Sequence, residues 1–80
     1  MAERIDRDAA QKWSRERIQE ELADLRRLIE DQERVCREDS ERLEEDAAAH
    51  GIRPDYSQIN FMREAIYDWE SDITFLKTLL

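Results

Sequence analysis

The chain has 80 residues, of which 42% are charged and 40% hydrophobic, and its formal net charge is −8. A chain of this length forms at most one small domain, and a core of this size is marginal on its own. The acidic balance argues against direct binding to nucleic acid or to anionic lipid, since both require a basic surface. A basic protein is the partner that this charge favours.

Cysteine usage and the apolar runs indicate the compartment. Cys36 is the single cysteine and cannot form an intrachain disulfide, as is ordinary in a reducing cytosol, although a bridge across a dimer stays open. The first residues, MAERIDRDAA, lack the apolar segment of a signal peptide. No run approaches the roughly 18 apolar residues of a membrane span. We therefore expect a cytoplasmic protein with no membrane association.

Residues 3–49 predict one long helix. They contain neither Gly nor Pro, and the helix-favouring Ala, Leu, Glu, Gln and Arg dominate. Acid-before-base pairs at i,i+4 add support, and they are Glu3–Arg7, Asp8–Lys12, Glu30–Arg34, Glu33–Arg37 and Glu38–Arg42.

The start of this helix has a strip that does not match the rest. Ile5, Ala9 and Trp13 lie nearly opposite the later apolar residues on a helical wheel. Either the helix breaks near Ser14, whose side chain suits an N-cap, or the strip faces another surface. Trp13 then either packs at the end of the fold or is an aromatic anchor for a partner, since tryptophan is frequent among interface hot spots.

A short hinge is predicted at residues 50–54. Gly51 suits the left-handed position just after a helix end. Pro54 pushes the preceding residue toward an extended conformation. Because the connection is short, the two helices should lie antiparallel, as one helical hairpin domain over residues 1–80.

Helix 2 is predicted over about residues 55–80. Asp55 is its expected N-cap, with Gln58 completing a capping box and Ser57 as a rival cap. Its apolar residues alternate in steps of three and four, a seam typical of coiled-coil-like packing: Ile59, Met62, Ile66, Trp69, Ile73, Leu76 and Leu80. Helix 1 has a matching seam that becomes polar toward the hinge, formed by Ile18, Leu22, Leu25, Ile29, Gln32, Cys36, Asp39 and Leu43.

The helix lengths predict self-association. At ~1.5 Å per residue helix 1 spans about 70 Å and helix 2 about 39 Å, so helix 2 reaches back only to about Leu25. Helix 2 has a second apolar strip beside its seam, formed by Phe61, Ala65, Phe75 and Leu79. This strip widens the apolar arc of helix 2 to about 200°, beyond the roughly 100° of an ordinary amphipathic helix. An all-α homodimer, in which two hairpins form an antiparallel four-helix bundle, would cover both surfaces. Higher oligomers, or a monomer completed by another protein, are the alternatives. The residues expected to self-associate are Ile18, Leu22, Phe61, Ala65, Phe75 and Leu79.

No group of residues indicates an enzyme. His50 is the only histidine and lies at the predicted helix end, where capping or solvent exposure is the ordinary role. Cys36 lies in the apolar seam without a partner cysteine. A di-iron bundle needs Glu-x-x-His on two helices, and position 47 is Ala. We therefore expect no catalytic residues, no metal ligands and no cofactor.

Residues 38–46 hold six acids and one base at the C-terminal end of helix 1, where the helix dipole disfavours negative charge. The acids either keep the protein soluble or form a docking patch for a Lys/Arg-rich surface. The expected function is therefore a non-enzymatic protein–protein interaction module, a dimeric acidic adaptor or regulator. The alternative is a small inhibitor, as phages can encode, whose carboxylates mimic phosphates and block a basic nucleic-acid-binding protein. The expected patch residues are Glu38, Asp39, Glu41, Glu44, Glu45 and Asp46.

Overall fold

The computed structural model describes residues 4–80, so the predicted Glu3–Arg7 pair and the predicted helix start at residue 3 lie outside the described residues. Within this range the chain forms the helices α1 (Arg7–Ala10), α2 (Arg15–His50) and α3 (Ser57–Thr78), and no strand. Glu44 meets Tyr56 near the hinge and Gln32 meets Met62 farther from it, so α2 and α3 run antiparallel. The predicted all-helical hairpin is confirmed. None of the described helices is both long and apolar enough to span a membrane.

The long helix is interrupted at residues 11–14, so helix 1 does not run unbroken through residues 3–49, and the alternative of a break near Ser14 is confirmed. The Ser14 side chain accepts a hydrogen bond from the Arg17 amide at 3.2 Å and caps α2. The Asp6 side chain caps α1 in the same way, through the amides of Asp8 and Ala9. Both side chains are N-caps, so one helix starts after Asp6 and a second one after Ser14. Residues 4–14, here called the N-terminal arm, therefore fold back along the hairpin.

The hinge begins as the sequence predicts. Gly51 has φ 66°, in the left-handed region, and its amide donates to the Ala48 carbonyl at 3.3 Å. The Ile52 amide donates to the Ala47 carbonyl at 2.9 Å, which completes a Schellman motif. The Ile52 side chain is 65% exposed, so the backbone hydrogen bonds rather than apolar burial end α2.

The start of α3 differs from the prediction. Asp55 is not the N-cap, because the first helical backbone hydrogen bond runs from the Asn60 amide to the Tyr56 carbonyl at 2.8 Å. The Asp55 carboxylate accepts hydrogen bonds from the amide (3.0 Å) and hydroxyl (2.6 Å) of Ser57. The N-cap is Tyr56, whose side chain makes no capping hydrogen bond. The helix therefore begins at Ser57, two residues later than expected, and the Asp55 carboxylate satisfies the amide of its first residue.

The core is divided into two clusters along the hairpin. The hinge-proximal cluster consists of Cys36, Ile59 and Ile66. The hinge-distal cluster consists of Ala10, Ile18, Leu22, Leu25, Trp69 and Leu76. Apart from Ala10, which belongs to the N-terminal arm, these residues come from the two predicted seams, while the last seam residue of helix 2, Leu80, is 47% exposed.

The N-terminal arm covers the surface that the sequence argument assigned to a second chain. Ala10 is fully buried, and Ile5 and Trp13 pack against the hinge-distal cluster. Ile18 and Leu22 lie beyond the predicted reach of helix 2 at Leu25, but they are only 3% and 5% exposed, so the chain covers them itself. Helix α3 reaches beyond Leu25 because it begins farther back along α2 than a tight hinge would place it: Tyr56 lies beside Glu44, and Met62 beside Gln32. Leu76 consequently belongs to the same cluster as Ile18.

Candidate protein-interaction surface

The six predicted patch carboxylates do not form a single patch. Glu38, Glu41 and Glu45 are exposed and lie about 140–200° around the α2 axis from the buried Cys36, so they face away from α3. We call these three residues the acidic stripe. Among residues 4–80 no ion pair involves any of them, whereas other parts of α2 carry paired charges such as Arg17–Glu21.

The other three predicted carboxylates have different surroundings. Glu44 accepts a hydrogen bond from the Tyr56 hydroxyl at 2.8 Å, and this bond, with burial and the Glu44 charge, raises the pKa of Tyr56. Asp46 is exposed, and its main-chain carbonyl lies 2.8 Å from His50 Nδ1. That histidine nitrogen satisfies a carbonyl of the last helical turn when it carries a proton. Asp39 is half-buried. The linear acidic run is therefore distributed around the helix.

Asp39 belongs to an open groove at the hinge end of the hairpin. The groove is lined by Asp39 and Leu43 of α2, by Asp55 before α3, and by Gln58, Ile59 and Met62 of α3. The pKa of Asp55 is lowered by the hydrogen bonds from the Ser57 hydroxyl and amide, which keeps this carboxylate charged. The groove thus combines an apolar floor with negative charge at its edge.

Three exposed apolar side chains lie on the side of the hairpin that the arm occupies. Contacts of the arm mark this side: the Arg17 guanidinium lies 4.7 Å from the Trp13 ring centroid, and Asp72 binds the arm. Leu28 and Val35 follow Arg17 by 11 and 18 residues, and Phe61 precedes Asp72 by 11. Intervals of 11 and 18 residues are close to three and five whole helical turns. Leu28 and Val35 therefore lie on the same face of α2 as Arg17, and Phe61 lies on the same face of α3 as Asp72. We call Leu28 (44% exposed), Val35 (38%) and Phe61 (63%) the apolar strip.

The other predicted self-association residues lie farther along α3. Ala65, Phe75 and Leu79 are half-buried and pack against the hinge-distal cluster. The Arg7 guanidinium lies 5.0 Å from the Phe75 ring centroid. Of the six residues expected to self-associate, Phe61 alone is largely exposed.

Trp13 lies at the end of the hairpin. Its side chain is half-buried against the hinge-distal cluster, and one face is covered by Arg17. This placement matches the interpretation in which Trp13 packs at the end of the fold, and it leaves little of the ring for a partner.

Asp72, the residue that attaches the arm, is not among the residues predicted from the sequence. Its side chain is fully buried. Arg4 Nη2 and Nε donate to the two Asp72 carboxylate oxygens at 2.8 and 3.2 Å, and Arg7 Nη2 donates at 3.4 Å. Burial acts to raise the pKa of Asp72, but the hydrogen bonds and charge of Arg4, the Ile5 amide and Arg7 outweigh it and lower that pKa. The available signal was a lone acid within the apolar face of helix 2.

The described residues show no arrangement typical of metal chemistry. Within residues 4–80 no group of three or more His, Cys, Asp or Glu side chains is placed to hold a metal ion. Cys36 is a free thiol, 4% exposed, inside the hinge-proximal cluster.

Comparison of the chain with models of protein families, with curated protein sequences and with solved structures found no match in any of the three.

Proposed function

We propose that this protein is a non-enzymatic protein–protein interaction module that acts as an adaptor or regulator by binding a basic protein surface. The observation that carries this proposal is the acidic stripe, three exposed carboxylates without an ion pair among the described residues. The stripe lies in the second half of α2. Charge arranged in this way accelerates the encounter with a basic partner and contributes specificity more than affinity.

The surroundings of the stripe favour recognition over simple solvation. On the preceding part of α2 three acids lie near arginines, in the pairs Arg17–Glu21, Arg27–Asp24 and Arg34–Asp31. Mixed charges of this kind are sufficient to keep a helix surface soluble. In residues 38–46 six acids share a single base, Arg42, which makes no ion pair in the described part of the chain. The carboxylates therefore repel one another, and a positively charged partner relieves this repulsion.

The test is to replace Glu38, Glu41 and Glu45 together by Lys. All three are exposed, so we expect the helical circular dichroism signal to be unchanged. We expect capture of the native partner from a lysate of the source cells to be lost, and its association rate to fall at least about tenfold at low salt. The matched control is replacement of Glu16, Glu20 and Glu30 by Lys, the same change of charge on exposed acids earlier in α2. Equal capture by both variants would mean that the stripe only keeps the protein soluble.

The second candidate function is an inhibitor that mimics nucleic acid. The stripe supports it, since steps of three and four residues advance about 4.5 and 6 Å along the helix, the same order as the roughly 3.4 Å per phosphate of one DNA strand. The two candidates separate in the same capture experiment when duplex DNA is added. A mimic loses its partner to the DNA, and an adaptor retains it.

The homodimeric four-helix bundle also stays a proposal, with less support than the sequence alone suggested. What supports it is the exposed apolar strip, and what opposes it is the net charge of −8 that each copy would bring. Three side chains bury much less than the roughly 1,200 Å² of a small stable interface. We therefore propose weak self-association through this strip in the absence of another partner.

A further inference from the structure

The N-terminal arm demonstrates what kind of segment binds between α2 and α3. It places Ile5 and Trp13 against the hinge-distal cluster and directs two arginines at α3. Arg4 contacts Asp72 and also Asp68, the latter at 3.4 Å, while Arg7 covers the Phe75 ring. The arm is thus an apolar segment with basic side chains, held by apolar contacts and by carboxylates of α3.

The arm fills only the hinge-distal half of this side of the hairpin. The apolar strip continues the same side toward the hinge, and its three members are exposed. Along α3, Phe61 precedes the fully buried Asp72 by 11 residues, about 16 Å of helix. The position that the arm occupies as a third element beside α2 and α3 is therefore open near the hinge.

The charges around the open half are mainly negative, as they are around the arm. Asp39 lies about 40° around α2 from the face of Arg17, and Asp46 about 20°, while Glu64 lies one turn after Phe61. Among the described residues of α2, Arg42 is the base that shares this face. The open half therefore has the same two features that hold the arm in the other half, an apolar floor and carboxylates at the edge.

We propose that the hinge-proximal half of this side binds a basic amphipathic helix of the partner protein. The apolar stripe of that helix lies on Leu28, Val35 and Phe61, and its lysines or arginines reach Asp39 and Glu64. This proposal rests on the proposed function, because it names the segment by which the basic partner binds. The mode is a helix in a groove, with anchors at intervals of three and four residues. A second copy of the chain would bring further carboxylates to the same place.

The probe for this site is a synthetic Leu/Lys peptide of about five helical turns, with its leucines at i, i+3, i+4 and i+7. The control peptide has the same composition in scrambled order, so it carries the same charge but no apolar stripe. Titration of the full chain into each fluorescently labelled peptide gives the affinity by anisotropy. We expect the patterned peptide to bind at least about tenfold more tightly than the scrambled one.

A pair of variants assigns the site. Phe61→Ser should weaken binding of the patterned peptide by about tenfold or more, the loss typical of an interface anchor. Tyr67→Ser is the matched control, since Tyr67 is 65% exposed against 63% for Phe61 but lies about 120° from it around α3. We expect this control to bind as the unchanged chain does, and both variants to keep their helical circular dichroism signal.

Several outcomes would overturn the assignment. Equal binding of the patterned and scrambled peptides, or equal effects of the two variants, would show that charge alone attracts the probe. Loss of the native partner with the reversed acidic stripe but not with Phe61→Ser would leave the proposed function standing without this site. A stable dimer at micromolar concentration that Phe61→Ser dissociates would assign the strip to a second copy instead.

Discussion

Asp72 is the single residue on which the attachment of the N-terminal arm depends. Its carboxylate is fully buried, and its partners Arg4 and Arg7 are about half exposed, with side-chain exposures of 41% and 44%. Removal of the carboxylate and removal of the arginines should therefore affect stability unequally. If the carboxylate is removed, the arginines can turn to water, whereas if the arginines are removed, a buried charge is left with too few partners.

The lowered pKa of Asp72 gives stability a defined dependence on pH. The pKa of this carboxyl is lower in the folded chain than its ordinary value of 3.8. Its contribution to the free energy of unfolding is therefore complete above that value and is lost as the pH falls through the lower, folded-state pKa. We expect the stability lost on acidification below about pH 4 to be smaller in Asp72→Asn, measured by urea unfolding at several pH values. Asp24→Asn, which changes an exposed acid, is the control and should behave as the unchanged chain does.

The arm is the element whose placement the sequence does not reveal. Gly51 was predictable because a helix end with a glycine at the left-handed position is a local signal, written in a few adjacent residues. The return of the arm depends on Arg4 and Asp72, which are 68 residues apart, and such a pair has no local pattern. Strong helix formers on both sides of Ser14 also favoured a continuous rod, and the side-chain caps of Asp6 and Ser14 outweighed them.

Arg4→Ala should detach the arm. The substitution leaves the buried Asp72 carboxylate with only Arg7 and the Ile5 amide, so we expect the free energy of unfolding to fall by about 1–3 kcal/mol. Because Trp13 belongs to the arm, its release should also shift tryptophan emission to longer wavelength before the hairpin unfolds. Arg15→Ala is the control, an exposed arginine without an ion pair among the described residues. A stability equal to that of the control would contradict the role of Arg4.

At the scale of the whole molecule, the fold-back makes the chain more self-contained than its sequence suggests. The predicted seams, hinge and helical class correspond to the structure, because apolar periodicity records which helix faces are buried. The predicted acidic patch corresponds less well to the structure. Each residue of a helix advances 100° around the axis, so acids that are neighbours in the sequence lie on different faces of α2. Asp39, Glu44 and Asp46 consequently lie outside the acidic stripe, and Glu38, Glu41 and Glu45 share one face of the helix.

Light scattering tests whether the chain is a monomer in solution. We expect the mass of one chain, 9.7 kDa, at micromolar concentration and ordinary salt. We expect association toward twice that mass only near millimolar concentration, and more of it in high salt, because salt screens the repulsion between two chains of charge −8. Binding to a basic partner should weaken in high salt, so the two kinds of association have opposite salt dependence. A dimer that persists at micromolar concentration would restore the four-helix bundle.

The division of the core into two clusters determines which spectroscopic probe reports on which part of the protein. Both tryptophans, Trp13 and Trp69, belong to the hinge-distal cluster or pack against it, so intrinsic fluorescence follows the release of that end. The hinge-proximal cluster contains the single thiol, Cys36, which is buried, so its rate of labelling by a thiol reagent follows opening near the hinge. The unmodified sequence thus carries a separate reporter for each half, and agreement between their unfolding midpoints would establish that the eighty residues melt as one cooperative unit.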